Sequence, residues 1–169
     1  AGSFLVGTTS EALKSVGVAD YKIYWRKAKI AKIMHEHPAM TPDVIKSVPN
    51  VLENPILVMQ SQTVANRITL FGETVDADGK PVLAALELSP QSKGEIQDFA
   101  VIVSVYGKDN TQYLIDTSEI LYVDPNKKRT TNWLGLLRLQ LPSSLTSYGS
   151  IGRVTLVDRD VNGNLSFGE

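Results

Sequence analysis

Both histidines of the chain fall in one short stretch, Lys27-Ala28-Lys29-Ile30-Ala31-Lys32-Ile33-Met34-His35-Glu36-His37-Pro38. Imidazole is the side chain that ordinarily titrates near neutral pH, so His35 and His37 are the natural candidates for proton transfer. Lys29 and Lys32 beside them could hold a phosphate. Ile30, Ile33 and Met34 recur at helical spacing and predict one buried stripe. Pro38 disfavours helical backbone at His37, so a helix over about 27–37 should end there. The His37 ring then leaves the helix surface and can project into a cleft. His35 remains on the helix, where packing or capping suits it better. A His-Glu-His at a helix end is also an ordinary cap, because the dipole favours cations there. On a continuous helix the two rings would point roughly 200° apart, so only one can face a given site. His35-x-His37 lacks a third ligand at telling spacing, and no metal or other cofactor is expected.

A second group of cations, Lys127-Lys128-Arg129, follows a strand-like run and a turn. Each group is also what a solvated surface looks like. Packed side by side, they would give one cleft of positive potential in a chain whose formal net charge is only −1. Phosphate contacts need such cations, and a ribonuclease without a metal needs them in its transition state. Tyr148 and Ser150, in Tyr148-Gly149-Ser150, could add hydrogen-bond donors, although that segment is equally a plain turn. Tyr24, Trp25, Tyr122 and Trp133 could stack on bases, and Tyr122 and Trp133 read better as core. Glu87 and Glu119 are possible carboxylate bases, while Asp76 and Asp78 belong to a turn. A phosphate loop and a Gly-x-Ser-x-Gly elbow are both absent.

These residues need a scaffold, and 169 residues with 43% apolar content suffice for one domain with a real core. The lack of cysteine excludes disulfides, thiol nucleophiles and iron–sulfur clusters. No apolar run approaches the roughly 18 residues of a membrane span, so no membrane partner is expected. Ala1-Gly2-Ser3 reads as a cloning remnant. Thr8 to Glu11 resembles a capping box opening a short helix over about 9–16. Tyr21 to Trp25 is a short strand or ordered arm. Thr41-Pro42-Asp43 opens a helix through Val48, with Pro49 and Pro55 bracketing a further turn. Ile56–Gln60, Arg67–Val75, Val82–Leu88, Phe99–Tyr106 and Ile120–Val123 read as strands, with Asp78-Gly79 turning a hairpin. Asn110–Asp116 reads as a short helix, as does the stretch around Trp133–Leu137. Ile151–Val157 is a candidate edge strand, and Asn162-Gly163-Asn164 a turn or frayed tail. The predicted organisation is a single domain over 1–169. An N-terminal helix or arm covers 1–20, the core 21–140, and a C-terminal extension 141–169. The class is α+β, with N-terminal helices packed on a four- to five-stranded, mainly antiparallel sheet.

Three pieces carry a family resemblance: Lys32-Ile33…His37-Pro38, then Ile45…Val48-Pro49…Leu52-Glu53-Asn54-Pro55-Ile56, then Ile120 to Lys127. Together they resemble the phage MuF C-terminal type of domain, over about 30–130. That type is similar to phage-encoded relatives of the barnase, EndoU, colicin tRNase and RelE nucleases, the BECR group. The resemblance implies a BECR-like fold and a ribonuclease toxin carried at the end of a larger phage or mobile-element protein. It would act on RNA, with tRNA one candidate, in the cytoplasm of a bacterial host. An immunity protein would be its partner. Barnase-like catalysis pairs a carboxylate with a distant histidine, and EndoU-like catalysis uses two separated histidines. The adjacency of His35 and His37 departs from both. Colicin tRNases work with lysine and arginine, a part Lys127, Lys128 and Arg129 could play. The expected reaction is metal-independent cleavage to a 2′,3′-cyclic phosphate. His37 or His35 would move the proton, with Lys127 as a further catalytic candidate. Lys29, Lys32, Lys128, Arg129, Ser150 and Tyr148 would hold the RNA. A non-catalytic phage structural or partner-binding module is the alternative, as is a degenerate fold that only binds RNA.

Overall fold

In chain order, the computed structural model runs β1 (Ser3–Thr8), α1 (Glu11–Ser15), β2 (Lys22–Arg26), α2 (Lys27–Glu36), α3 (Pro42–Glu53), β3 (Leu57–Gln60), β4 (Arg67–Val75) and β5 (Pro81–Leu88). It continues with β6 (Gln91–Ser92), β7 (Glu95–Ile96), β8 (Ala100–Gly107), α4 (Thr111–Thr117), β9 (Ile120–Val123), α5 (Lys127–Leu137), β10 (Gly149–Ser150), β11 (Val157–Arg159) and β12 (Leu165–Phe167). The described residues are 2–155 and the strand segments 157–159 and 165–167. The turn predicted at 162–164 lies outside them.

The main sheet has eight strands in the order β1-β2-β8-β5-β4-β3-β9-β10, not four to five. The five predicted strands are its contiguous centre, β8-β5-β4-β3-β9. β1 and β2 extend one edge, and β10 extends the other. Every neighbouring pair is antiparallel except β2 and β8. The fold is therefore α+β with a large, mostly antiparallel sheet.

Helices lie on both faces of this sheet, so its helical cover is not N-terminal only: the helices expected at 110–116 and around 133–137 cover the second face. One face packs Ile68, Leu70, Val82, Ala84 and Leu86 against Leu13 of α1, Ile33 of α2 and Val48, Val51 and Leu52 of α3. The opposite face packs Phe71, Leu83 and Ala85 against Ile115 of α4 and Trp133 of α5. The alternation along β4 and β5 sends consecutive residues to the two layers, as pleating requires. Phe71 and Trp133 meet with ring centroids 5.8 Å apart. Gly72 lets α3 approach β4, because a Cβ there would lie 3.2 Å from the Val51 Cα.

Several local expectations change for physical reasons. α3 runs unbroken through Pro49 to Glu53. An interior proline costs about 3 kcal/mol. Burial of Val48, Val51 and Leu52, at roughly 1.5–3 kcal/mol each, outweighs it. The N-cap of α1 is Ser10, whose hydroxyl accepts from the Leu13 N–H, so Thr8 is free to end β1. Ser3 pairs with Arg26 as the first residue of that strand. In α2 only Ile33 of the predicted stripe is fully buried. Ile30 is half-buried and Met34 is exposed. Of the strand expected at 151–157, residues 151–155 are not strand, and Val157 opens β11, which pairs with β12. Gly149 and Ser150 pair with β9 instead.

Candidate active site

Strand β8 is the platform of the site. β2 accompanies it only as far as the Trp25–Ile102 pair. The chain then turns directly into α2, which runs beside the remaining edge of β8. A bulge at Val103 resets β8: Ile102 faces Leu86 and Ser104 faces Ala85. The extra residue reverses the alternation, so Ile102 and Val105 share one core while Tyr106 packs on the other.

Helix α2 ends where Pro38 predicts. His37 is its C-cap, with φ −126° and ψ 82°, and its N–H donates to the Ile33 carbonyl at 2.8 Å. The extended backbone carries the exposed imidazole over Tyr106, with ring centroids 6.4 Å apart and planes 27° from parallel. His35 is exposed on the helix and makes no hydrogen bond or ring contact among the described residues.

His37 stands between two clefts. The smaller, about 170 Å³, lies between α2 and the edge of β8 and is lined by Lys29, Lys32, Ile33, Glu36, His37 and Val103–Tyr106. Lys29 is half-buried there, and Lys32 is an exposed side chain 3.9 Å from Glu36. The larger, about 610 Å³, is walled by Glu36–Ala39, by the β4–β5 turn at Asp76, Ala77, Asp78 and Lys80, and by Tyr106–Asp109. Glu36, His37 and Tyr106 belong to both. The larger cleft carries four carboxylates, Glu36, Asp76, Asp78 and Asp109, against Lys80 and Lys108. Lys80 bonds Asp109 at 3.0 Å, and that carboxylate raises the lysine pKa above its ordinary value. Lysine character thus lies on one side of the imidazole and carboxylate character on the other.

The second basic group does not join this site. Asp124-Pro125-Asn126 closes β9 as expected and also caps the next helix: Asn126 Oδ1 accepts from the Arg129 N–H at 3.1 Å. Lys127, Lys128 and Arg129 therefore form the first turn of α5, not a loop. Lys128 and Arg129 line a separate cleft of about 500 Å³ with Glu73, Asn126, Asn132, Trp133 and Leu136. It shares no residue with the two clefts at His37. The Arg129 guanidinium is committed within the protein. It bonds Asp124 at 2.7 Å, Glu73 at 3.3 Å and the Asn54 carbonyl at 2.7 Å. It ties α5 to the end of α3 and to β4. Lys127 and Lys128 are exposed and unpaired among the described residues.

Ser150 donates its hydroxyl to the Ser15 carbonyl at 2.7 Å, and Tyr148 packs half-buried on the α4–α5 side of the sheet. Neither lines a cleft at His37. Glu87 is bound by Arg67 at 3.0 Å, and Glu119 is exposed outside these clefts. Trp25 and Trp133 are core, and Tyr122 packs half-buried against core. Burial and Asp124 raise the Tyr122 pKa above the ordinary phenol value. Tyr106 and Asp76 escaped sequence reasoning. Tyr106 reads as the last residue of a strand and Asp76 as turn chemistry, and only the sheet brings them to His37.

No helix among the described residues is long and apolar enough to cross a membrane. No curated protein matches the chain, and no solved structure does. Residues 29–130 match the phage MuF C-terminal domain family. That span covers more than half of the chain and includes both histidines, strands β3 to β9 and the first turn of α5. The chain belongs to the phage MuF C-terminal domain family.

Proposed function

We propose that this phage domain is an endoribonuclease toxin that cuts RNA to 2′,3′-cyclic phosphate and 5′-hydroxyl ends without a metal. The observation that carries the reading is the position of His37. Its ring is stacked on Tyr106 at the junction of a lysine-lined and a carboxylate-lined cleft. A phosphodiester on Lys29 and Lys32 would place its leaving oxygen near the imidazole. The two ammonium groups would offset charge that builds in the pentacoordinate transition state. His37 would then supply the proton that the departing 5′-oxygen needs. Single-stranded RNA suits so small a cleft better than duplex, because a splayed strand can thread between α2 and β8. Lys127 and Lys128 would be outlying phosphate contacts. Arg129, Tyr148 and Ser150 keep structural bonds and contacts in this reading, and His35 is dispensable. Among the described residues no group of three potential ligands is placed to hold a metal ion. An EDTA arm in the assay tests metal independence directly. Action in the host cytoplasm and restraint by an immunity protein follow from the reading.

One observation favours a second reading, a phage module that binds a partner protein and catalyses nothing. β1 is an open edge strand with no charged residue, and Phe4 and Leu5 are 49% and 57% exposed. Such an edge is unprotected against pairing with another strand. Induction in a bacterial host separates the two. The nuclease reading expects growth arrest that His37→Ala relieves, with new cyclic-phosphate RNA ends on sequencing. Normal growth and intact RNA at high expression would favour the partner-binding module.

A further inference from the structure

Asp76 is the anomaly of the larger cleft. The residue is only 7% exposed. Oδ1 accepts two backbone N–H groups, from Asp78 and from Lys80, both at 2.9 Å, and so fixes the β4–β5 turn. The Ala77 N–H donates to the Ala39 carbonyl at 3.0 Å, which locks that turn to the chain just after His37. Oδ2 accepts no hydrogen bond among the described residues. It lies against the bare backbone of Gly107, where a Cβ would fall 1.9 Å away. The nearby ammonium of Lys80 is turned to Asp109 instead. Oδ2 is not among the fully buried unpartnered polar atoms, so water in the cleft reaches it. The turn uses one oxygen, and an asparagine would serve it equally. The second oxygen, in a residue that lines the cleft with His37, is left without a structural task.

We infer that Asp76 Oδ2 is the general base of this site and that it receives the 2′-hydroxyl of the ribose 5′ to the cut. The inference rests on the ribonuclease reading above and adds the group which that reading lacks. The 2′-oxygen attacks phosphorus while its proton passes to Oδ2. The bond from phosphorus to the 5′-oxygen breaks, and the leaving oxygen takes the proton of the His37 imidazolium. The products are the cyclic phosphate and the 5′-hydroxyl, with Asp76 protonated and His37 neutral. Proton exchange with water restores both. A substrate without the 2′-hydroxyl offers Oδ2 no donor, so the site is selective for RNA over DNA.

The test compares Asp76→Asn with wild type on single-stranded RNA, with thermal unfolding alongside. Asparagine keeps an oxygen for both turn N–H groups and removes the base. Unchanged melting with cleavage reduced about 10²–10⁴-fold is the expected result. Wild-type cleavage with Asp76→Asn within threefold of it overturns the assignment and leaves the ribonuclease reading standing. A wild type that cuts no RNA overturns both. A second measurement needs no variant. The carboxyl carbon resonance of Asp76 in the wild type is followed while adenosine 3′-phosphate or its 2′-deoxy analogue is added. A shift with the ribonucleotide alone is expected. Equal shifts, or none, reject the contact.

Discussion

Replacing Arg129 by alanine should weaken the fold rather than disarm the site. The guanidinium is 18% exposed and Asp124 13%, so their 2.7 Å bond is largely out of water. Breaking a buried pair by removing one partner costs about 3–5 kcal/mol. Here Asp124 keeps the Asn126 N–H as a donor, at 3.0 Å, which argues for the lower end. The 3.3 Å bond to Glu73, a residue 63% exposed, adds at most about 1 kcal/mol. The Asn54 carbonyl loses a charged donor at 2.7 Å, but this contact is exposed, so water replaces much of it. The sum is about 3–4 kcal/mol. At roughly 2–4 °C per kcal/mol for a domain of this size, Tm should fall by about 10 °C. Thermal and urea unfolding followed by circular dichroism read this directly. Lys127→Ala and Lys128→Ala serve as controls, each expected within about 0.5 kcal/mol of wild type. Their charges face the positive end of the α5 dipole and gain nothing from it. An Arg129→Ala protein that melts with wild type and loses RNA cleavage would refute this reasoning. Arg129 would then be a phosphate-binding residue after all.

Gly107→Ala should cost about 1–3 kcal/mol in urea unfolding, because the new Cβ must displace Asp76 or the turn it anchors. Unchanged stability would mean that the carboxylate has room to move. Alkaline pH should destabilise the fold through two groups. Asp109 holds Lys80 protonated above its ordinary 10.5, and burial holds the Tyr122 phenol above 10.0. Between the ordinary and the raised value the folded chain keeps more protons than the unfolded one, so stability falls as pH rises. Their contribution is whole below the ordinary values and is lost as pH rises above them, so urea midpoints should drop above about pH 10. Tyr122→Phe should flatten that slope, and an unchanged slope would remove Tyr122 from it.

Much of this architecture is written locally. The helix stop at Pro38, the hairpin at Asp78-Gly79 and the β-branched run of β8 each follow from backbone chemistry within a few residues. What stayed hidden depends on distant partners. β1 has only three apolar residues and a glycine, and it exists because β2 offers it an edge. α3 passes through Pro49 because the sheet buries its next turn. Lys127 to Arg129 become helix because Asn126 turns its side chain onto the following N–H. The site divides in the same way. The place of His37 just past the helix end was legible from its proline, and that of Lys29 and Lys32 on the helix before it from helical spacing. Arg129 looked like a free cation because Asp124, Glu73 and Asn54 reach it through the fold. Asp76 looked like turn chemistry, which it is through one oxygen. Its place beside the cleft of His37 is set only where the β4–β5 turn, β8 and the end of α2 meet.

The central claim is that His37 moves a proton in metal-independent RNA cleavage, and one measurement meets it head-on. Purified wild type, His35→Ala and His37→Ala are incubated with single-stranded RNA in EDTA, and product ends are identified by mass. The account predicts 2′,3′-cyclic phosphate ends from wild type and His35→Ala alike. It predicts a rate about 10²–10⁴-fold lower for His37→Ala at unchanged melting temperature. Full cleavage by a folded His37→Ala protein, or no cleavage by wild type in EDTA, would contradict it.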